Sequence, residues 1–258
     1  MAAALLPFMP FATQLVEAIM GSFSRKPQSE VPSETARLRE ELAKYREQHA
    51  ELIQRFDTLS EQLKREKINS FEDLEQQDKV AKKVLVNLAQ ATKPAQMEGI
   101  NIGFFGLTST GKSTMLNALL DQKVADTGVG ETTTKITPYN GTKYTLWDVP
   151  GRNDEVSYFS MEYISFFKGL SRRLILIQAS VKDISSMMKL LDEIGLRYDI
   201  VFNKFDKVEP DEQESIKKQI NKEIKDIGLK GVEHIYFVSA KNPKMFDDWL
   251  TMVNSLTS

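Results

Sequence analysis

The apolar positions change period part-way along the chain. From Leu38 to Leu63 they fall alternately four and three residues apart, at Leu38, Leu42, Tyr45, His49, Leu52, Phe56, Leu59 and Leu63. That heptad seam, with charge on the other faces, predicts a long helix, and polar His49 weakens the seam locally. Ser70-Phe71-Glu72-Asp73 reads as a capping box opening a further helix to about Ala91, with Val80, Ala81, Val84, Leu85 and Leu88 on its apolar face. The two helices can pair as a hairpin, or 35–66 can seat a coiled-coil partner; the pattern leaves both open. From about residue 98 short apolar runs alternate with helical stretches. The runs are Ile100–Phe105, Lys135–Tyr139, Tyr144–Asp148, Arg173–Ala179, Asp199–Phe202 and Ile235–Val238. This predicts an α/β fold, a mostly parallel six-stranded sheet with helices on both faces. Leu174-Ile175-Leu176-Ile177 is continuous, as a strand buried on both sides requires.

Ahead of the seam, Met1 to Phe23 is apolar, with Glu17 its only charge. Pro7, Pro10, Gln14 and Glu17 argue against a spanning helix. Phe11, Leu15, Ala18 and Ile19 share one helical face, which suits either a terminal helix packed on the protein or a peripheral membrane contact through 1–23. Residues 24–33, with two prolines, read as a linker. The expected organisation is therefore 1–33 apolar segment and linker, 34–97 helical region, and 98–258 α/β domain.

Composition narrows the chemistry. The 34 basic and 36 acidic residues nearly cancel, so nucleic acid is not an expected partner. There are no cysteines, which fits a cytoplasmic location, and His49 and His234 are too far apart in sequence to suggest a metal centre. Basic runs such as Arg172-Arg173 and Lys217-Lys218 read as solvated faces, and His234 as structural.

The chemistry lies after the strands. Gly106-Leu107-Thr108-Ser109-Thr110-Gly111-Lys112-Ser113 is a complete G-x-x-x-x-G-K-[ST] phosphate loop between an apolar run and a helix. Its backbone N–H groups, including those of Gly106, Thr108, Ser109, Thr110, Gly111 and Thr114, form an anion nest at a helix N-terminus. Lys112 would reach the β- and γ-phosphates and Ser113 would bind Mg²⁺. Asn203-Lys204-Phe205-Asp206 follows the fifth strand. Asp206 can accept from both guanine N1–H and the exocyclic amine, Asn203 can reach the base edge, and the Lys204 stem can lie along the ring. Ser239-Ala240-Lys241 follows the sixth strand, where a backbone N–H can meet the guanine oxygen. Asp148-Val149-Pro150-Gly151 supplies D-x-x-G, with Asp148 on Mg²⁺ and the Gly151 N–H on the γ-phosphate. One threonine of Glu131-Thr132-Thr133-Thr134 would join the metal and the γ-phosphate, in a loop released when that phosphate leaves. Five such motifs in order, each after its strand, imply a GTP/GDP site with Mg²⁺.

Residues 98–256 resemble the G domain of translation-factor-like GTPases, and within these the immunity-related, dynamin-like GTPases. The resemblance rests on Thr108, on Thr127-Gly128-Val129-Gly130-Glu131-Thr132-Thr133-Thr134 leading to Pro138-Tyr139, and on Trp147-Asp148-Val149-Pro150-Gly151. It implies a P-loop GTPase fold, Thr133 as the switch threonine, and a nucleotide-dependent homodimer through the G domain. Era-like and septin-like GTPases are alternatives with the same chemistry. The large helical region that follows the G domain in the immunity-related family has no counterpart after residue 256. Ras-type GTPases carry a glutamine after D-x-x-G, whereas Arg152 stands here. Arginine cannot act as a base. Three readings stay open: slow turnover awaiting a partner, a second protomer completing the site with Arg152 or another group as a finger, or binding with little hydrolysis. Lys112, Thr133, Gly151 and Arg152 are thus the candidate catalytic set. An ATP enzyme conflicts with Asp206 and Lys241.

Overall fold

The computed structural model describes residues 31–68, 70–121, 136–141, 143–150 and 159–257; the side chains of 31–46, 48 and 257 fall outside that description. The apolar segment 1–23, the switch threonines and residues 151–158, Gly151 and Arg152 included, lie outside the described residues.

Six strands form one sheet: β1 (Ile100–Phe105), β2 (Thr137–Asn140), β3 (Tyr144–Asp148), β4 (Arg172–Ile177), β5 (Tyr198–Phe202) and β6 (Val232–Phe237). The order is β2-β3-β1-β4-β5-β6, with only β2 antiparallel. The strands are those the apolar runs predict, with ends moved by a few residues. Side chains alternate between faces, as the strand period of two demands. Ile102, Phe104, Leu174 and Leu176 point to one side, where α4 (Lys112–Leu120) and α8 (Asp248–Thr257) pack. Phe105, Ile175 and Ile177 point to the other, where α5 (Met161–Gly169), α6 (Ser185–Glu193) and α7 (Gln213–Ile227) pack.

A third layer lies outside α5 and α6. It consists of α1 (Val31–Arg65), α2 (Phe71–Gln77) and α3 (Lys79–Ala91). Phe56, Leu59 and Leu63 of the heptad seam are buried in the same core as Tyr163 and Phe167 of α5, so this half of the seam is satisfied within the chain. Val31, Pro32 and Ser33, expected at the end of the 24–33 linker, are helical within α1, and the rest of that linker lies outside the described residues. α1 ends at left-handed Lys67 (φ 55°), where the Ile68 N–H reaches back 2.9 Å to Leu63 O and Ile68 enters the core.

The helix expected over 70–91 is two helices. Ser70 Oγ accepts from the Asp73 N–H at 3.0 Å, as a cap should. Asp78 then breaks the run, because its carboxylate accepts from the Val80 and Ala81 N–H groups at 3.0 and 2.9 Å and starts α3 afresh. The rotated α3 buries Ala81, Leu85, Leu88 and Ala89 and leaves Val80 and Val84 exposed, contrary to the expected face.

Polar contacts fasten this layer down. The Phe71 N–H donates to Ser186 Oγ at 3.0 Å, and Glu72 accepts from the Ser185 and Ser186 hydroxyls and pairs with Lys189. Lys168 of α5 donates to Gln90 O at 3.0 Å and Thr92 O at 2.7 Å, at the end of α3. Ser165 Oγ donates to Lys93 O, and the Ala95 N–H donates to Ser165 O. Arg173 is buried and donates to Phe167 O, Leu170 O and Arg197 O, capping α5; it is no solvated basic residue. Burial lowers its guanidinium to about 10, with Glu233 opposing, so it stays charged at neutral pH. His234 lies within β6, with Nδ1 2.9 Å from Asp199.

Candidate guanine-nucleotide site

β1 and β4 are neighbours, yet the chain leaves β1 for β2 and then β3 on the other side, so the sheet opens a crevice at the carboxyl end of β1. The phosphate loop fills that crevice. Gly106 (φ 147°) packs so closely on Leu176 O and the Thr110 hydroxyl that a side chain would collide. Gly111 (φ 92°) abuts the Asn203 amide in the same way and sits at the N-cap of α4. Thr110 Oγ1 donates to Leu107 O at 2.8 Å, pinning the turn, while Thr108 and Ser109 face outward. Ser113 and Thr114 occupy the first turn of α4.

Lys112 is buried and donates to Gly106 O at 2.9 Å and Leu107 O at 3.2 Å. Burial pulls its ammonium below the ordinary value, and Asp148 opposes that shift. A nearly desolvated cation inside an amide-lined loop is suited to hold phosphate oxygens. Ser113 Oγ donates to Asp148 Oδ2 at 3.0 Å, and Asp148 is buried. A hydroxyl and a carboxylate this close form a hard-oxygen pair of the kind Mg²⁺ takes, so these residues fit the metal. Asp148 is placed by Trp147, whose indole N–H donates to Asn101 Oδ1 at 2.9 Å and whose ring meets Phe166 of α5 edge-on.

The base-reading motifs converge on the same loop. Asn203 Nδ2 donates to Thr110 O at 2.8 Å, and Asn203 Oδ1 accepts from the Ala240 N–H at 2.9 Å. Buried Asn203 therefore ties three loops together. The Ala240 N–H is engaged there too. Lys204, left-handed at φ 60°, sends Nζ to Ser109 O at 2.6 Å and Gln178 Oε1 at 3.1 Å. Burial lowers its ammonium, as does nearby Lys207, with Asp206 opposing. Asp206 is half-buried, and its Oδ2 accepts from Asn242 Nδ2 at 3.3 Å. Buried Ser239 accepts from the Asn242 N–H at 3.0 Å and shapes the turn that carries Ala240 and exposed Lys241. Gln178 and Asn242 were missed by motif reading, because Gln178 was read within the strand Arg173–Ala179 and Asn242 lies one residue past Ser239-Ala240-Lys241.

Residues 101–238, more than half of the chain, match the family described as 50S ribosome-binding GTPase. The chain belongs to this family of P-loop GTPases. The chain is 30% identical over 161 residues to GTPase Der of Methylococcus capsulatus, a match covering 55% of the chain and 33% of that relative. It is 29% identical over 133 residues to the Probable GTP-binding protein EngB of Metamycoplasma arthritidis, covering 46% of the chain and 72% of the relative. The chain thus spans about a third of the length of Der. Among solved structures, a probable GTP-binding protein engB aligns at 18% identity and a TM-score of 0.42, over 61% of this chain and 96% of its own. The FeoB G-domain of Methanococcus jannaschii aligns at 22% identity and a TM-score of 0.41, over 62% and 97%.

Proposed function

We propose that this GTPase is a nucleotide switch that binds GTP or GDP with Mg²⁺, hydrolyses GTP, and passes the nucleotide state to its own helical layer. The observation that carries this reading is the position of α5. It is the first described helix after Asp148-Val149-Pro150, and it is clamped between the sheet and the α1–α3 layer. A loop that moves when the γ-phosphate leaves would act on α5, and α5 holds Gln90, Thr92, Lys93 and Ala95 through Lys168 and Ser165.

The chain's own residues divide the work. The phosphate-loop amides and Lys112 bind and orient the phosphates, and Lys112 draws charge toward the β,γ oxygens. Ser113 and Asp148 would hold Mg²⁺, which when bound neutralises charge on the phosphates. Thr133 and Gly151 would sense the γ-phosphate, and Asp206 would select guanine. Arg152 replaces the water-orienting glutamine, which supports slow turnover or turnover completed by a second copy. The likeness of Thr108 and Trp147-Asp148-Val149-Pro150-Gly151 to immunity-related, dynamin-like GTPases supports the second-copy route.

Arg152 equally favours a second reading, a nucleotide-gated interaction module with little hydrolysis, whose partner meets the helical layer. Phosphate release from GTP across a range of protein concentrations separates the two, with Lys112→Ala as the blank. Turnover per molecule that rises with concentration supports assisted hydrolysis. Flat turnover at the blank's level, with GTP bound, refutes hydrolysis and leaves the module.

A further inference from the structure

Two residues with side chains stand in the left-handed region on opposite walls of the nucleotide crevice: Ser109 (φ 67°) in the phosphate loop and Lys204 (φ 60°) in the base-reading loop. A Cβ makes that conformation unfavourable, so something must hold each residue there. The hydrogen bonds show what does. Ser109 O accepts from Lys204 Nζ at 2.6 Å and from Gln178 Nε2 at 2.6 Å. Gln178 Oε1 accepts from the same Lys204 Nζ at 3.1 Å. One amide thus closes a triangle, donating to the strained peptide and accepting from the ammonium that also grips it. Gln178 is half-buried, in the residue position directly after β4, where the strand fixes its backbone.

We propose that Gln178 is a positioning residue for the nucleotide, holding the Ser109 peptide in its left-handed conformation and Lys204 against it. The Ser109 carbonyl accepts these two donors while the Thr110 N–H of the same peptide donates to Leu107 O at 3.3 Å, so this peptide is held from both sides and the turn of the phosphate loop keeps its shape. Gln178 acts through the loop and touches neither phosphate nor base. The glutamine supplies both halves of the link because its amide donates and accepts at once. A carboxylate at this position would keep Lys204 and repel Ser109 O. This inference rests on the site being a guanine-nucleotide site.

The test uses the whole chain and measures release of a fluorescent GDP analogue from the parent, Gln178→Ala, Ser109→Gly and the double variant. Gln178→Ala should speed release about tenfold, the effect of a lost link of this kind, while the nucleotide-free thermal midpoint moves by less than about 2 °C. Glycine at 109 adopts the left-handed conformation without penalty. In that background Gln178→Ala should therefore speed release by less than about threefold. Release from Gln178→Ala within about twofold of the parent overturns the inference, and so does an undiminished acceleration in the Ser109→Gly background. A nucleotide-free midpoint lowered by more than about 5 °C overturns it too, because the residue would then support the fold. A parent chain that binds no GDP fails the earlier site reading instead, so the two failures are distinguishable.

Discussion

Asp206→Asn is the sharpest probe of base selection. The carboxylate is half-buried at the crevice rim, its Oδ2 accepts a long 3.3 Å contact from Asn242, and its lone pairs suit the two donors on the guanine edge. Each hydrogen bond to an ionised acceptor contributes about 1.5–3 kcal/mol, and partial exposure favours the lower figure. Asparagine keeps one acceptor and turns an amide donor toward the guanine amine, so one bond is lost and two donors face each other. The expected cost is about 3 kcal/mol, a GTP affinity about a hundredfold weaker. Xanthine carries a carbonyl where guanine carries that amine, and it should bind the variant better than guanine does. Phosphate contacts from Lys112 and the loop are unchanged, so XTP should still bind through them. The assay is displacement of a fluorescent nucleotide by GTP, XTP and ATP from both proteins. If Asp206→Asn keeps the parent's preference for GTP over XTP, Asp206 does not read the base.

Other perturbations test the packing around the site. Arg173→Met strands the Phe167 and Leu170 carbonyls at the end of α5 and the Arg197 carbonyl before β5, and should lower stability by about 2–4 kcal/mol in urea unfolding. Leu63→Ala opens a cavity at a fully buried position between the helical layer and α5, costing about 2–5 kcal/mol by the same measurement. Glu72 is subject to burial, which raises its carboxyl, but the Ser186 and Ser185 hydroxyls and Lys189 outweigh it and hold the group below its ordinary value of 4.5. Its contribution is therefore present above pH 4.5 and fades as pH falls through the lowered value, so acid should loosen α2 from α6. Glu72→Gln should remove that part of the acid slope, seen as a flatter dependence of the thermal midpoint on pH below 4.5.

Most of the sheet was legible because its strands are nearly all apolar, and the phosphate loop, Asn203-Lys204-Phe205-Asp206 and Ser239-Ala240-Lys241 each follow one. The phosphate loop, Asp148 and Asp206 fall where their motifs place them, since strand ends leave little freedom there. What was not legible depended on contacts between distant parts of the chain. Periodicity joined 70–91 into one helix because it weighs apolar spacing and not a carboxylate; Asp78 took two backbone N–H groups and turned Val80 and Val84 outward. Arg173 looked like surface charge beside Arg172, yet the end of α5 offered it two carbonyls and the residue before β5 a third. The heptad seam could not show which surface would cover it, and α3 and α5 of the same chain share the core that buries Phe56, Leu59 and Leu63. A short motif likewise does not reveal that the Asn203 amide bonds Thr110 O and the Ala240 N–H.

The most direct measurement is a calorimetric titration of the purified chain with GDP, GTP and ADP in the presence of Mg²⁺. One guanine nucleotide bound per chain, with ADP about a thousandfold weaker, is the result expected of Lys112 and Asp206 working in one crevice. Equal binding of ADP and GDP, or no heat with either guanine nucleotide, would contradict it.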